Sequence, residues 1–335
     1  MKVLITGGAG FIGSNYIHHA LSKHPDWEIW NLDKLTYAGN LANLQDIAGG
    51  DRYHFVKGDI ADPVVVKTVM EQGIELVINF AAESHVDRSI KGSQEFLTTG
   101  VLGVQTLLDG AKEFGVKRYY QISTDEVYGD VEIGKYSKET DRLQPSSPYS
   151  AAKAAGDLLV LAYARTHKLP VVISRCTNNY GPYQYPEKML PLFVTNLLEG
   201  KKVPVYGDGR QVRDWLHVDD HCRGIDLIIN RGQDGEIYNL GANHQPEWTN
   251  LDVTRLVLDE LGQSETMIEH VPDRPGHDRR YAVDTAKIQH LGWKPEVSPD
   301  EGLRQTIRWY RAHLEWWQPI KSGEFLTYYQ QQYQR

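Results

Sequence analysis

Tyr149 and Lys153 stand four residues apart, just behind Pro148. On a helix that spacing puts a phenol and an ammonium on one face, and proline suits the first helical turn. One positive charge about 4 Å from a phenol, at an effective dielectric near 20, is worth about 4 kcal/mol, or roughly three pKa units. With a further cation beside it, such as an oxidised nicotinamide, the phenol can act near neutrality as a base toward an alcohol that is losing hydride. Upstream, Thr124-Asp125-Glu126 sets a hydroxyl beside two adjacent carboxylates. Like charges held close push their pKa values apart, which yields one acid and one base. Thr124, Asp125, Glu126, Tyr149 and Lys153 are therefore the candidate catalytic residues.

Alcohol oxidation needs a hydride acceptor, and the first residues offer it a cradle. Gly7, Gly10 and Gly13 have the spacing GxxGxxG after a short apolar run. The first allows a tight turn, the second lets backbone approach a pyrophosphate, and the third lets helix and strand pack closely. Phe11 and Ile12 open the helix whose free N–H groups would face the phosphates. Asp33 ends the next apolar run, 20 residues past Gly13. There it would accept hydrogen bonds from both adenosine ribose hydroxyls and repel a 2′-phosphate, so NAD is expected over NADP, with Lys34 leaving a small opening for the latter. Asp59 is placed to meet the adenine edge, with Ile60 packing on the ring.

The elements that must hold these groups are short apolar runs at 2–6, 28–32, 53–56, 75–80, 118–122 and 171–174, alternating with helical spacing at 11–21, 63–71, 101–114 and 151–166. That alternation predicts an α/β fold, a doubly wound parallel sheet, whose ligands sit at the carboxyl ends of the strands. Asp33, Asp59, Ser84 and Thr124 to Glu126 fall at or just beyond such ends. Past residue 176 the rhythm changes to loops rich in Asn, Gly, Pro and Tyr. Residues 1–175 are read as the dinucleotide-binding part and 176–335 as a smaller α/β substrate-binding part, closely packed, with interleaved segments. The tail from Trp309 to Tyr333 carries three Trp and four Tyr and is assigned no chemistry.

Composition sets the outer bounds. The 335 residues carry a formal net charge of -8, which disfavours general nucleic-acid binding but not an anionic substrate in a local cationic pocket. Cys176 and Cys222 match neither a disulfide framework nor a zinc motif, so no metal is expected. There is no signal-peptide pattern and no apolar run of membrane-spanning length. The expectation is a cytoplasmic protein with no membrane partner.

Residues 6–15, 31–33, 35–40, 80–89, 123–129, 146–153, 175–191, 206–214 and 273–281 resemble the extended short-chain dehydrogenase/reductase family, in particular its sugar-nucleotide dehydratases. The likeness covers nearly the whole chain. It implies an NAD-binding Rossmann fold, a homodimer through paired helices (101–114 and 151–166), and a dTDP-hexose substrate. It also implies the reaction: oxidation at C4, loss of water across C5 and C6, and return of hydride to C6. Asp125 would be the acid at the C6 hydroxyl, Glu126 the base at C5, and Thr124 a hydrogen-bond partner of the C4 oxygen. Further cofactor contacts implied are Lys34, Leu35, Thr36, Ala81, Ala82, Thr99 and Asn179. For the substrate they are Ser84, Asn178, Lys188, Met189, Arg213, Asn243, Arg274 and His277, with Pro204, Val205 and Tyr206 as the edge that meets the base. Arg213, Arg274, His277, Asn178 and Lys188 are candidates for the pyrophosphate. Three positions depart from the family pattern: Gly100 where relatives carry Asn, Met189 where Leu is usual, and a longer turn from Asn243 to Trp248. The last leaves a UDP-hexose open. A 4-epimerase is disfavoured by Asp125-Glu126, and a non-catalytic NAD sensor by the intact Tyr-Lys pair.

Overall fold

The computed structural model describes residues 1–333. Six of the apolar runs become β1 (Lys2–Thr6), β2 (Glu28–Asp33), β3 (Tyr53–Lys57), β4 (Leu76–Asn79), β5 (Arg118–Thr124) and β6 (Val171–Cys176). All but the edge strand β3 are mostly buried, as strands covered on both faces must be. With the strand Ile237–Leu240 they form one parallel sheet, in the order 237–240, β6, β5, β4, β1, β2, β3. The winding reverses between β1 and β4, which opens a crevice at their carboxyl ends.

Two apolar layers cover the sheet. On one face α1 (Phe11–Lys23) packs with helix Val218–Arg231 through Tyr16, Ile17, Ala20, Cys222, Ile225 and Ile228. On the other, helices Pro63–Met70, Val104–Glu113 and Pro148–His167 contribute Val66, Val69, Leu107, Leu108 and Val160. Helix 218–231 and strand 237–240 thus return to the sheet from beyond residue 176. A third core gathers helices Met189–Leu198, Asn250–Glu260 and Pro299–Ala312. There, strand Val203–Tyr206 pairs with Ile268–Val271, and Val212–Arg213 with Trp248–Thr249. Among the described residues no helix is long and apolar enough to cross a membrane.

The helix expected from Val101 starts at Val104, because Thr98–Gly103 forms a wider π-helical turn. Gly100 lies there against helix 148–167. A Cβ on it would come 3.2 Å from the Ala152 Cβ, and one on Gly156 would come 2.7 Å from the Gly100 carbonyl oxygen. Absent side chains let the two helices meet behind Thr99.

Candidate active site

The glycine turn is built by exclusion. Gly7 has φ +68°, and a Cβ there would sit 2.7 Å from the Ala81 backbone. A Cβ on Gly13 would lie 2.4 Å from the Gly7 carbonyl oxygen. Polar ties then fix the loop: Gly8 N–H donates to Asn31 Oδ1 (3.0 Å), and Asn43 Nδ2 donates to the Ala9 carbonyl (3.0 Å). Asp33 accepts from Ala9 N–H (2.9 Å) and Leu35 N–H (2.8 Å). Burial raises its pKa against those two bonds, and each oxygen keeps a lone pair for a ribose hydroxyl.

Above this loop lies a cavity of about 280 Å³. Gly7, Gly10, Phe11, Ile12, Gly13, Asp33, Lys34, Thr36, Asp59, Ile60, Ala81, Ala82, Thr99, Tyr149, Lys153 and Asn179 line it. Ser84, Thr124, Asp125, Glu126, Asn178 and Lys188 line its continuation. Leu35 does not; it serves through its backbone N–H to Asp33. Lys34 is engaged by Asp59 at 2.8 Å, a tie that raises the lysine pKa and lowers that of Asp59. That tie opposes the opening left for a 2′-phosphate.

Thr124 ends β5, and Asp125–Tyr128 turns away at once in a 3-10 helix. Thr124 Oγ1 accepts from Glu126 N–H (3.3 Å) and donates to Asp125 Oδ1 (3.2 Å). Asp125 is buried and its Oδ2 has no partner among the described residues. Burial, then the neighbouring charge of Glu126, raises the Asp125 pKa well above the carboxylate range. Glu126 is also raised by burial, but the cations of Arg274, Lys188 and Arg213 pull it back. Both carboxylates are therefore shifted upward, Asp125 more strongly than Glu126.

The Tyr149-Lys153 pair differs from the expectation. Lys153 Nζ donates to the Ile122 carbonyl (2.6 Å), and burial lowers its pKa. Burial, then Glu126, pushes the Tyr149 phenol well up. The expected lowering by Lys153 is not what this arrangement delivers, and the phenol needs a further cation at its ring before it ionises.

The residues expected at the nucleotide end are placed as follows. Arg213 is buried, stacked 4.3 Å from the Tyr281 ring centre, with Nη2 donating to the Asp278 carbonyl (3.0 Å). Arg274 pairs with Asp87 at 3.3 Å and leaves a buried Nε without a partner among the described residues. Both act on the cavity through charge and do not line it. His277 fails as a cation: burial, then Arg274 and Arg213, lowers its pKa to about 4, so it is neutral near pH 7. Asn243 spends its amide on Thr285 Oγ1 (2.9 Å), in a separate small recess beside Arg213. Val205 is buried in the third core and Met189 packs against it, while Pro204 sits in the same strand. Tyr206 donates to Asp87 Oδ2 (2.8 Å).

Sequence reasoning missed Glu83, Cys176, Gln184, Tyr185 and Glu187, all lining the cavity. Glu187 is almost fully buried and paired with Arg88 at 3.1 Å; its place beside Lys188 was the available signal. The Cys176 thiol, pushed up to about 12 by burial, is no nucleophile. Among the described residues no acidic, His and Cys group could hold a metal.

Fold and cleft together define an α/β dinucleotide-binding protein with a phenol, a lysine and two carboxylates at its strand ends. A family model described as GDP-mannose 4,6 dehydratase matches residues 4–306, and the chain belongs to that family. It is 49% identical over 332 residues to the dTDP-glucose 4,6-dehydratase of Streptomyces niveus, covering 98% of each chain. The crystal structure of a dTDP-glucose 4,6-dehydratase from Streptomyces venezuelae, with NAD bound, superposes with a TM-score of 0.93 at 49% identity, covering 96% of this chain and all 100% of that one. A dTDP-glucose 4,6-dehydratase from Bacillus anthracis in complex with NAD gives 0.89 at 46% identity, covering 96% and 100%.

Proposed function

We propose that this chain is an NAD-dependent hydro-lyase that converts dTDP-glucose to dTDP-4-keto-6-deoxyglucose and water. The observation that carries the reading is the placement of two adjacent carboxylates, Asp125 and Glu126, beside a Tyr-Lys pair in one cavity, with the nearby cations bearing more on Glu126. The cradle fits the cofactor: a Cβ-free turn, a buried Asp33 with spare lone pairs, and Lys34 already paired. When bound, NAD takes hydride from C4 of the hexose and gives it back at C6, so it is unchanged over a turnover.

The chain's own groups move the protons. Tyr149 takes the C4 hydroxyl proton, and Thr124 hydrogen-bonds the same oxygen. Glu126, whose anion Arg274, Lys188 and Arg213 favour against burial, removes the C5 proton that the C4 ketone acidifies. Asp125, whose protonated form burial favours, gives its proton to the departing C6 hydroxyl. Glu126 then returns a proton to C5, and the proton that Tyr149 gained replaces, by way of solvent, the one that Asp125 gave up. Arg213 and Arg274 supply positive charge toward the pyrophosphate, with Asn178 offering an Oδ1 that has no partner among the described residues. Residues 1–175 hold the cofactor and 176–335 the nucleotide sugar, with 218–240 interleaved. Exposed Leu97, Leu102 and Leu158 on neighbouring helical segments support a homodimer, and the protein is expected in the cytoplasm.

Incubation with dTDP-glucose and with UDP-glucose, followed by mass analysis, tests the reading. Loss of water from the dTDP sugar without accumulating NADH is expected. Preference for UDP-glucose would move the specificity, a reading kept because Asn243 is committed to Thr285. An isomer of unchanged mass would make it an epimerase.

A further inference from the structure

The aromatic tail takes no part in this chemistry, yet it is tied to the active-site walls at three points. Trp316 Nε1 donates to Asn43 Oδ1 (2.8 Å), and the Asn43 amide holds the Ala9 carbonyl of the glycine turn. Trp316 is itself set by Trp309 and Tyr183, with ring centres 5.2 and 5.8 Å away. On helix Glu324–Tyr333, the Tyr328 ring centre lies 4.3 Å from the Arg88 guanidinium, which is also 4.0 Å from that of Tyr37. Tyr37 belongs to the loop that brings Thr36, Ala38 and Gly39 to the cavity. Arg88 Nε pairs with Glu187, in the cavity wall. Farther along, Gln332 donates to the Tyr206 hydroxyl (2.8 Å), which donates to Asp87, the partner of Arg274.

We propose that residues 309–333 form a retaining strap for the dinucleotide, and that Arg88 is the positioning residue through which the strap holds the 34–40 loop closed. The proposal rests on the NAD reading of the cleft. A cofactor that leaves each turnover unchanged gains nothing by dissociating, so the fold can hold it from outside. The loop is held by Gly39 N–H to Thr36 O (3.1 Å), Asn40 N–H to Ala9 O (2.9 Å), the Lys34–Asp59 pair (2.8 Å) and Tyr37 set edge-on to Tyr185 at 5.4 Å. The Tyr37–Arg88–Tyr328 stack adds a tie to a segment almost 300 residues away in the chain.

The test is the rate at which bound nucleotide leaves. Wild-type protein is loaded with NAD, freed of excess by rapid gel filtration, and sampled over time for nucleotide retained, identified by mass. Tyr328→Ala removes the ring from Arg88 and should speed release about tenfold, equivalent to about 1.4 kcal/mol. Tyr328→Phe keeps the ring and should release within about twofold of wild type. Arg88→Lys keeps a charge for Glu187 but loses the planar stack, and should release severalfold faster. Urea midpoints of the stripped proteins should stay together. Unchanged release in both Tyr328→Ala and Arg88→Lys overturns the strap, as does a matched loss of stripped-state stability with Tyr328→Phe equally impaired. Wild-type protein that retains no NAD overturns the cofactor reading and the strap with it; fast release confined to the variants can fail without touching that reading.

Discussion

Replacing Glu126 with glutamine tests the division of labour at the site most directly. The amide matches the carboxylate in shape but cannot take a proton, and it leaves Arg274, Lys188 and Arg213 facing a neutral group. A positioned general base contributes about 10²–10⁴ in rate, or about 2.7–5.5 kcal/mol of barrier, so water loss should slow by that factor. Oxidation at C4 does not use Glu126 and should proceed. In a single-turnover mixture with dTDP-glucose, reduced nicotinamide absorbance should rise and persist, where wild type shows only a transient. In heavy water, sugar recovered from Glu126→Gln should carry no deuterium at C5. Asp125→Asn should separate the steps the other way, with C5 exchange surviving and water loss falling, because the amide is no acid for the leaving hydroxyl. Dehydration at the wild-type rate by Glu126→Gln would refute the base assignment. C5 exchange that survives in Glu126→Gln but not in Asp125→Asn would interchange the two roles.

Three further outcomes follow from the same geometry. Tyr149→Phe should slow the first oxidation about 10²–10⁴-fold, so that no reduced nicotinamide absorbance develops in the single-turnover mixture. Asp157→Ala should cost about 3–5 kcal/mol in urea unfolding, because it strands Arg175, a buried guanidinium paired with Asp157 at 2.9 Å; a loss under about 1 kcal/mol would show the pair to be dispensable. The raised pKa of Asp125 means the folded state binds its proton more tightly than the unfolded chain. The stability this confers is fully present below the unfolded carboxylate pKa of about 4 and is lost as pH rises through the folded pKa. Asp125→Asn removes that loss, so its thermal midpoint should gain on wild type as pH is raised, and a gap independent of pH would contradict the burial argument.

The parallel sheet was legible because strands buried on both faces read as short apolar runs, and because glycines and carboxylates punctuate their ends. The strand 237–240 was not, since nothing local to it says that it pairs with β6. The site was legible as a set of groups but not as a set of charge states. Asp125 and Glu126 are neighbours in sequence, and what separates them is cations from positions 188, 213 and 274, set against one carboxylate more than the other. Burial first, and those charges after it, neutralise His277, and burial leaves Tyr149 waiting for a cation that Lys153, turned to Ile122, does not supply. Residue type at a strand end thus states which proton transfers are available. Which group holds the proton is decided by segments that reach the site from elsewhere in the chain, while the tail bears on the cavity wall, where Arg88 balances Glu187 and Tyr328 holds Arg88. A change in the last ten described residues should therefore register first at the cofactor loop, ahead of any loss of global stability.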